Sequence, residues 1–139
     1  KRQVRNIERE DLNSDYLNLR SQLSPMLNPN VDFDKTWSTF INNDDHHTLV
    51  IAHDGLVVGT GSLLIERKLT GRIAGRIEDV VISQLHRESG MGTDIINGLI
   101  DIAKRKQCYK VILSCSDKNI PFYNRFGFLK IDNGMKLII

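Results

Sequence analysis

The stretch "IEDVVISQLHRESGMGTDIINGLIDIAKRK", residues 77–106, decides how the chain is read. It opens on a β-branched apolar run, Ile77 to Ile82, interrupted by two acids, Glu78 and Asp79. It closes on a helix, because Ile95, Ile96, Leu99, Ile100, Ile102 and Ala103 recur on one helical face. Lys104, Arg105 and Lys106 fall where they complement the negative end of the helix dipole. Between strand and helix lies "RESGMG", with Gly90 and Gly92 two apart. Free N–H groups at a helix N-terminus, behind glycines that let a ligand approach, form a seat for a phosphate. Arg87 adds charge there. The plainer reading is a tight strand-to-helix turn, and a bare G-x-G by itself favours it. No Gly-Lys-Ser/Thr follows, so this is not a P-loop, and Ile95 stands where a dinucleotide fingerprint needs its third glycine. The acids have a plain reading too, since charged residues on a strand usually face solvent.

Working outward, the pattern is mostly hairpins with helices inserted. "VRNIERED" reads as a short strand ending in a helix start at Asp11; Leu12, Tyr16, Leu19 and Leu23 keep helical spacing until Pro25 and Pro29. Residues 32–43 read as a second short helix with Phe33, Trp37, Phe40 and Ile41 on one side. "TLVIAHD" and "LVVGTGSLLIERK" are strands joined by Asp54-Gly55, a pair that accepts positive φ in a two-residue turn. Gly59 and Gly61 mark a bulge or a close backbone approach. After a break near Thr70 and Gly71 come the strand "RIEDVVIS", the helix at 92–106 and the strand "KVILSC". "NIPFYNRFGF" is a short helix stopped by Gly127, and "FLKIDNGMKLII" reads as two final strands around Asn133-Gly134. The expected fold is α+β: a central mixed, mostly antiparallel sheet with helices on both faces, three layers in one domain over residues 1–139.

Composition narrows the classes. The chain has 139 residues, 40% hydrophobic and 26% charged, which suits a globular domain and not a disordered one. No apolar run is long enough to span a bilayer, and the N-terminal "KRQVRNIERE" has no apolar signal core, so a soluble cytoplasmic protein is expected. A net charge of +2 with 6% aromatics gives no nucleic-acid surface. Cys108 and Cys115 are read as reduced, structural thiols, and no set of zinc ligands appears. His46 and His47 fall in a polar loop without matched ligands, so no metal is expected.

Arg87-x-x-Gly90-x-Gly92, after "EDVVIS" and before a helix, resembles the acetyl-CoA pyrophosphate loop of the GNAT acetyltransferases, R/Q-x-x-G-x-G/A. "NIPFYNRFGF" resembles that superfamily's second marker. "LLIERKL", "GRIEDVVIS", "CYKVILSC" and "KNIPFYNRFGF" together are similar to the glucosamine-6-phosphate N-acetyltransferase family, from about Val4 to the C-terminus. That resemblance implies acetyl-CoA as co-substrate and an amino-sugar phosphate as acceptor, with the product feeding UDP-GlcNAc synthesis. It implies that Val80, Val81 and Ile82 offer backbone groups to the pantetheine arm and acetyl carbonyl. Glu88, Ser89, Gly90, Met91, Gly92 and Thr93 would hold the pyrophosphate, and Arg87, Asn119 and Tyr123 would also bind the cofactor. Glu78 and Asp79 would face the sugar amine, Lys68, Tyr109 and Lys110 the sugar phosphate, and Tyr123 the thioester sulfur. It implies a homodimer with crossed C-terminal strands.

Two positions depart from the family. Ser114 stands where the family carries an acid, and a hydroxyl orients by hydrogen bonding but is no base near neutral pH. Ile138 stands where an arginine is expected against the sugar phosphate; Lys136 or Arg72 could substitute. The resemblance thus implies a catalytic set of Glu78, Tyr123 and Ser114. A GNAT enzyme for another amine (a protein N-terminus, a polyamine, another amino sugar) stays open beside it, as does a silent acyl-CoA-binding module.

Overall fold

The architecture comes from a computed structural model that describes residues 2–22, 30–86 and 90–139. Five strands lie in chain order across one sheet: β1 (Arg2–Asn6), β2 (His46–His53), β3 (Leu56–Arg67), β4 (Ile73–Ile82) and β5 (Lys110–Ile112). The first three pairings are antiparallel and β4–β5 is parallel. A parallel neighbour cannot be reached by a tight turn. The chain therefore leaves β4, crosses by α3 (Met91–Arg105) and returns as β5. The fold is α+β with a mixed sheet, as the hairpin-rich sequence requires.

Alternation along β2 divides the core. Leu49 and Ile51 face α3 and pack with Leu63, Ile95, Ile96 and Leu99. Val50 points the other way and packs with Ile7, Tyr16, Trp37 and Phe40, which come from β1's end, α1 (Ser14–Arg20) and α2 (Phe33–Ile41). Helices thus cover both faces. Asp54 (φ 52°) and Gly55 (φ 82°) form the β2–β3 turn, as their identities demand. Gly127 (φ 96°) ends the segment after α4 (Ile120–Asn124).

Four expectations change. Asp11 does not begin α1: it lies in a short 3₁₀ turn, where Arg5 and the Glu8 N–H bind its buried carboxylate, and Asn13 caps the helix instead. His46 and His47 are half-buried at the start of β2, not in a loop, with the His46 ring edge-on to Phe40 at 4.9 Å. β5 is three residues long and "MKLII" forms no strand: strand pairing needs a neighbour, and residues 128–139 have none among the described residues. Cys115 is exposed, whereas burial pushes the Cys108 thiol above its ordinary pKa; both are free. Leu23, Pro25 and Pro29 lie outside the described residues.

Candidate active site

The acids are placed by an irregularity in the sheet. Thr60 pairs with Val81 and Ser62 with Glu78, which leaves Gly61 opposite both Asp79 and Val80. This is a β-bulge, and Asp79 takes the left-handed φ of 58°. The Ser62 hydroxyl bonds Thr48 (2.7 Å) on the face covered by α1 and α2, so Glu78, its partner, points to that face. In a regular strand Asp79 would point to the opposite face. The bulge brings it back, and its carboxylate meets Arg20 of α1 at 3.1 Å. Glu78 lies 3.8 Å from Arg76, two residues earlier on the same face. Two consecutive acids therefore share one face, each beside an arginine.

A pocket of about 160 Å³ opens against Asp79, between α1, α2 and the sheet. Tyr16, Arg20, Trp37, Phe40 and His46 line much of it. The Tyr16 hydroxyl is tied to Thr60 at 3.2 Å. Burial lowers the His46 pKa while the Asp79 carboxylate pulls it up; the net shift is downward, which leaves the imidazole neutral near pH 7. Arg20, Trp37 and His46 were not singled out as site residues from sequence. Arg20 and Trp37 lie on a short helix pair and His46 at the start of β2, a pattern indistinguishable from ordinary core until the helices are docked.

The opposite edge of β4 is where the strands separate. β5 pairs with β4 only from Ala74 to Arg76. Beyond that point Val80, Val81 and Ile82 have no strand on that side among the described residues. An unpaired strand edge is a surface on which an extended ligand can lie. Just past it, Gly90 (φ 77°) caps α3 without a side-chain bond. A Cβ on Gly92 would lie 3.3 Å from the Phe122 ring, so the backbone there is closely approached. Met91 turns its side chain into the core and leaves only its backbone to the loop. The Thr93 hydroxyl accepts from Arg125 at 3.3 Å. Arg125 is a cation beside the helix N-terminus that motif reading passed over. Arg87, Glu88 and Ser89 lie outside the described residues.

Tyr123 of α4 is half-buried, edge-on to Phe122 and Phe128. Burial, with a smaller effect from Cys115, raises its hydroxyl pKa, so it stays a proton donor. Asn119 precedes α4 and makes no side-chain capping bond. Ser114 is exposed and passes close to Gly134 of the C-terminal segment. It lies two residues beyond Ile112, whose partner Arg76 is two residues before Glu78. At the far end of β4, Lys110 pairs with Ala74, and the Arg72 guanidinium stacks 3.8 Å over the Tyr109 ring, with Lys110 Nζ at 5.3 Å. Lys68 is bonded to Glu66 at 3.2 Å. The fold thus gathers Tyr109, Lys110 and Arg72 at one end of β4 and the two acids about 13 Å further along it. No group of three or more His, Cys, Asp or Glu among the described residues is placed to hold a metal ion.

Comparison with known proteins gives a consistent result. The sequence profile of the Acetyltransferase (GNAT) family matches residues 5–128. A Trypanosoma brucei brucei protein described as glucosamine 6-phosphate N-acetyltransferase is 44% identical over 94 residues, 65% of this chain and 64% of that protein, just under two thirds of its length. An Arabidopsis thaliana protein of the same description is 32% identical over 89% of this chain and 87% of its own. The crystal structure of glucosamine-6-phosphate N-acetyltransferase from Arabidopsis thaliana superimposes with a TM-score of 0.93 at 31% identity, covering 99% of this chain and 98% of that one.

Proposed function

Because the chain belongs to the GNAT acetyltransferase family, we propose that it moves the acetyl group of acetyl-CoA onto the amine of glucosamine 6-phosphate, as one catalytic domain over residues 1–139. The observation that carries this reading is geometric. The bulge turns Glu78 and Asp79 onto one face, beside the stretch of β4 whose other edge is open. Relatives described as this enzyme support the acceptor. N-acetylglucosamine 6-phosphate, the product, is an intermediate toward UDP-GlcNAc.

Acetyl-CoA supplies the activated acyl group. The α3 N-terminus, with Gly90, Gly92 and the nearby Arg125, suits a diphosphate, because free N–H groups, the helix dipole and a cation converge there. The open edge at Val80–Ile82 suits an extended arm and can donate an N–H to the oxyanion. The site holds the neutral amine against the thioester carbonyl, and such positioning supplies much of the rate. The N–C bond forms and the C–S bond breaks. The amine gives up one proton, for which Glu78 is the acceptor through water, and Tyr123 donates one to the leaving sulfur. Ser114 orients and does not deprotonate. No acyl-cysteine step is needed.

Lys68, Tyr109 and Lys110 are read as the phosphate end. Residues 128–139 leave Leu137 82% and Ile138 76% exposed. Apolar side chains in that state are best covered by a second copy, and we read the enzyme as a homodimer. Light scattering on the purified chain should give twice the monomer mass, with Leu137→Asp reducing it to the monomer. No helix among the described residues is long and apolar enough to cross a membrane. With both cysteines free, a cytoplasmic location is proposed.

A second reading, another amine as acceptor, is favoured by Ser114 and Ile138, which depart from the family. Thiol release from acetyl-CoA tests both across glucosamine 6-phosphate, glucosamine, a polyamine and an N-terminal peptide. Each lost charge-assisted phosphate contact costs about 1.5–3 kcal/mol, so glucosamine should react at least tenfold less efficiently than its 6-phosphate. Equal kcat/KM for the two sugars would overturn the first reading.

A further inference from the structure

We propose that Arg20 sets the ionisation of the docked acceptor amine: its guanidinium neutralises Asp79 and so keeps the amine in its neutral, nucleophilic form. This rests on the reading of Glu78 and Asp79 as the amine's docking face.

The acceptor arrives largely as an ammonium near neutral pH, since an amine of this kind titrates close to a peptide α-amino group, about 7.7–8.0. Two bare carboxylates would bind that ammonium and raise its pKa, holding it in the unreactive form. Ser114, on the segment after β5, is a hydroxyl and no base near neutral pH. Arg20 Nη2 is 3.1 Å from Asp79, and Arg76 is 3.8 Å from Glu78. The two acids are matched by two cations, and the docking face has no excess negative charge to hold a proton on nitrogen.

Every element around Asp79 contributes to this balance. α1 brings Arg20 and the Tyr16 hydroxyl, which is occupied with Thr60. α2 brings Thr36, Trp37 and Phe40, none charged. β2 brings Thr48 and His46, with His47 beside it. β3 brings Ser62, and β4 brings Arg76, Glu78 and Asp79. Arg20 is the half-buried partner: its side chain lines the pocket that opens on Asp79, and its Nη2 reaches the carboxylate. It is a positioning residue for charge, acting through Asp79.

The test is the pH dependence of the single-turnover rate at saturating substrates for the wild type, Arg20→Met and Arg20→Lys. Methionine keeps the apolar stem in the pocket and removes the charge. The wild-type acid limb should fall at or below the free amine's pKa. Arg20→Met should move it up by about one pH unit while lowering the acceptor's KM at pH 7, because the ammonium then binds to an unpaired Asp79. Arg20→Lys should restore the wild-type limb. An Arg20→Met profile that overlays the wild type would overturn the proposal. A measurement without variants stands beside it: ¹⁵N-labelled glucosamine 6-phosphate in the dead-end complex with CoA should titrate at or below its free value by NMR. An amine pKa raised on binding to the wild type would equally refute the role of Arg20. Transfer to another amine, with none to glucosamine 6-phosphate, sinks only the acceptor reading, and the Arg20 profiles are then taken with that amine.

Discussion

Gly61→Ala is a sharp test of how the fold holds the site, because Gly61 touches α3 on one side and the bulge on the other. A Cβ there would lie 2.7 Å from Ile95 Cγ2, 3.2 Å from Leu99 Cδ1 and 3.3 Å from Val80 Cγ2. Ile95 and Leu99 are 0% exposed, so neither can swing into solvent. Ile95 is also β-branched on a helix, where its χ1 is fixed. Overpacking of this kind costs about 1–3 kcal/mol. The backbone of Gly61 is outside the left-handed region, so alanine also restricts the unfolded chain and returns about 0.4–1 kcal/mol. With both at mid-range the net loss is about 1.3 kcal/mol. At about 2.1 cal/mol/K of unfolding entropy per residue, that lowers the Tm of this chain by about 4–5 °C. Urea and thermal unfolding followed by circular dichroism measure it. Ile95→Ala, itself costing about 2–5 kcal/mol, removes Cγ2. The double variant should therefore fall short of additivity by about 0.5 kcal/mol or more. A Gly61→Ala protein as stable as the wild type, or strictly additive costs, would refute the close α3–β3 approach. Val80 sits in the bulge, so the same variant should raise the acceptor's KM.

Gly92→Asp should weaken acetyl-CoA binding in calorimetry by at least tenfold, because it adds a negative charge beside the proposed diphosphate seat and crowds Phe122. Tyr123→Phe should lower kcat about 10–100-fold with little change in KM, since the leaving thiolate develops charge only in the transition state. Ser114→Ala should cost less than tenfold in kcat and Glu78→Gln more; the reverse order would make Ser114 the organising group. Asp11 gives a pH test of stability. Burial raises its pKa, but Arg5 and the Glu8 N–H outweigh this, and the folded value is depressed. That contribution is present above the unfolded pKa and is lost as pH falls through the folded one. Asp11→Asn should thus cost about 1–3 kcal/mol at pH 7, with the gap to wild type closing below about pH 4 in acid titrations of unfolding.

The elements legible from sequence are those whose cause is local. Asp54-Gly55 demanded a turn because both residues accept positive φ, and the turn is there. The apolar stripe of 95–103 demanded a helix with one buried face, and α3 buries it. Asp11 misled because an acid before an apolar run imitates a helix cap. Its carboxylate is claimed instead by Arg5, on a strand six residues earlier, and no local pattern contains that pairing. The final strands misled for a related reason. "MKLII" has strand composition, but a strand forms only against a partner, and residues 128–139 meet none among the described residues.

The sequence by itself determined the chemistry on offer: a glycine-led helix start, two adjacent acids and a tyrosine before Gly-Phe. Spacing and residue type carry that information because helix periodicity, turn preference and acid–base character belong to single residues and short windows. Only the tertiary structure decided that both acids face the same way. A period-two strand would have sent them to opposite faces, and the one extra residue across from Gly61 reverses Asp79. It alone also set Arg20 beside Asp79, across 59 positions of chain. Ion pairs of that separation depend on how α1 docks on the sheet, which is settled by the packing of Tyr16, Trp37 and Phe40 and not by any motif around Arg20.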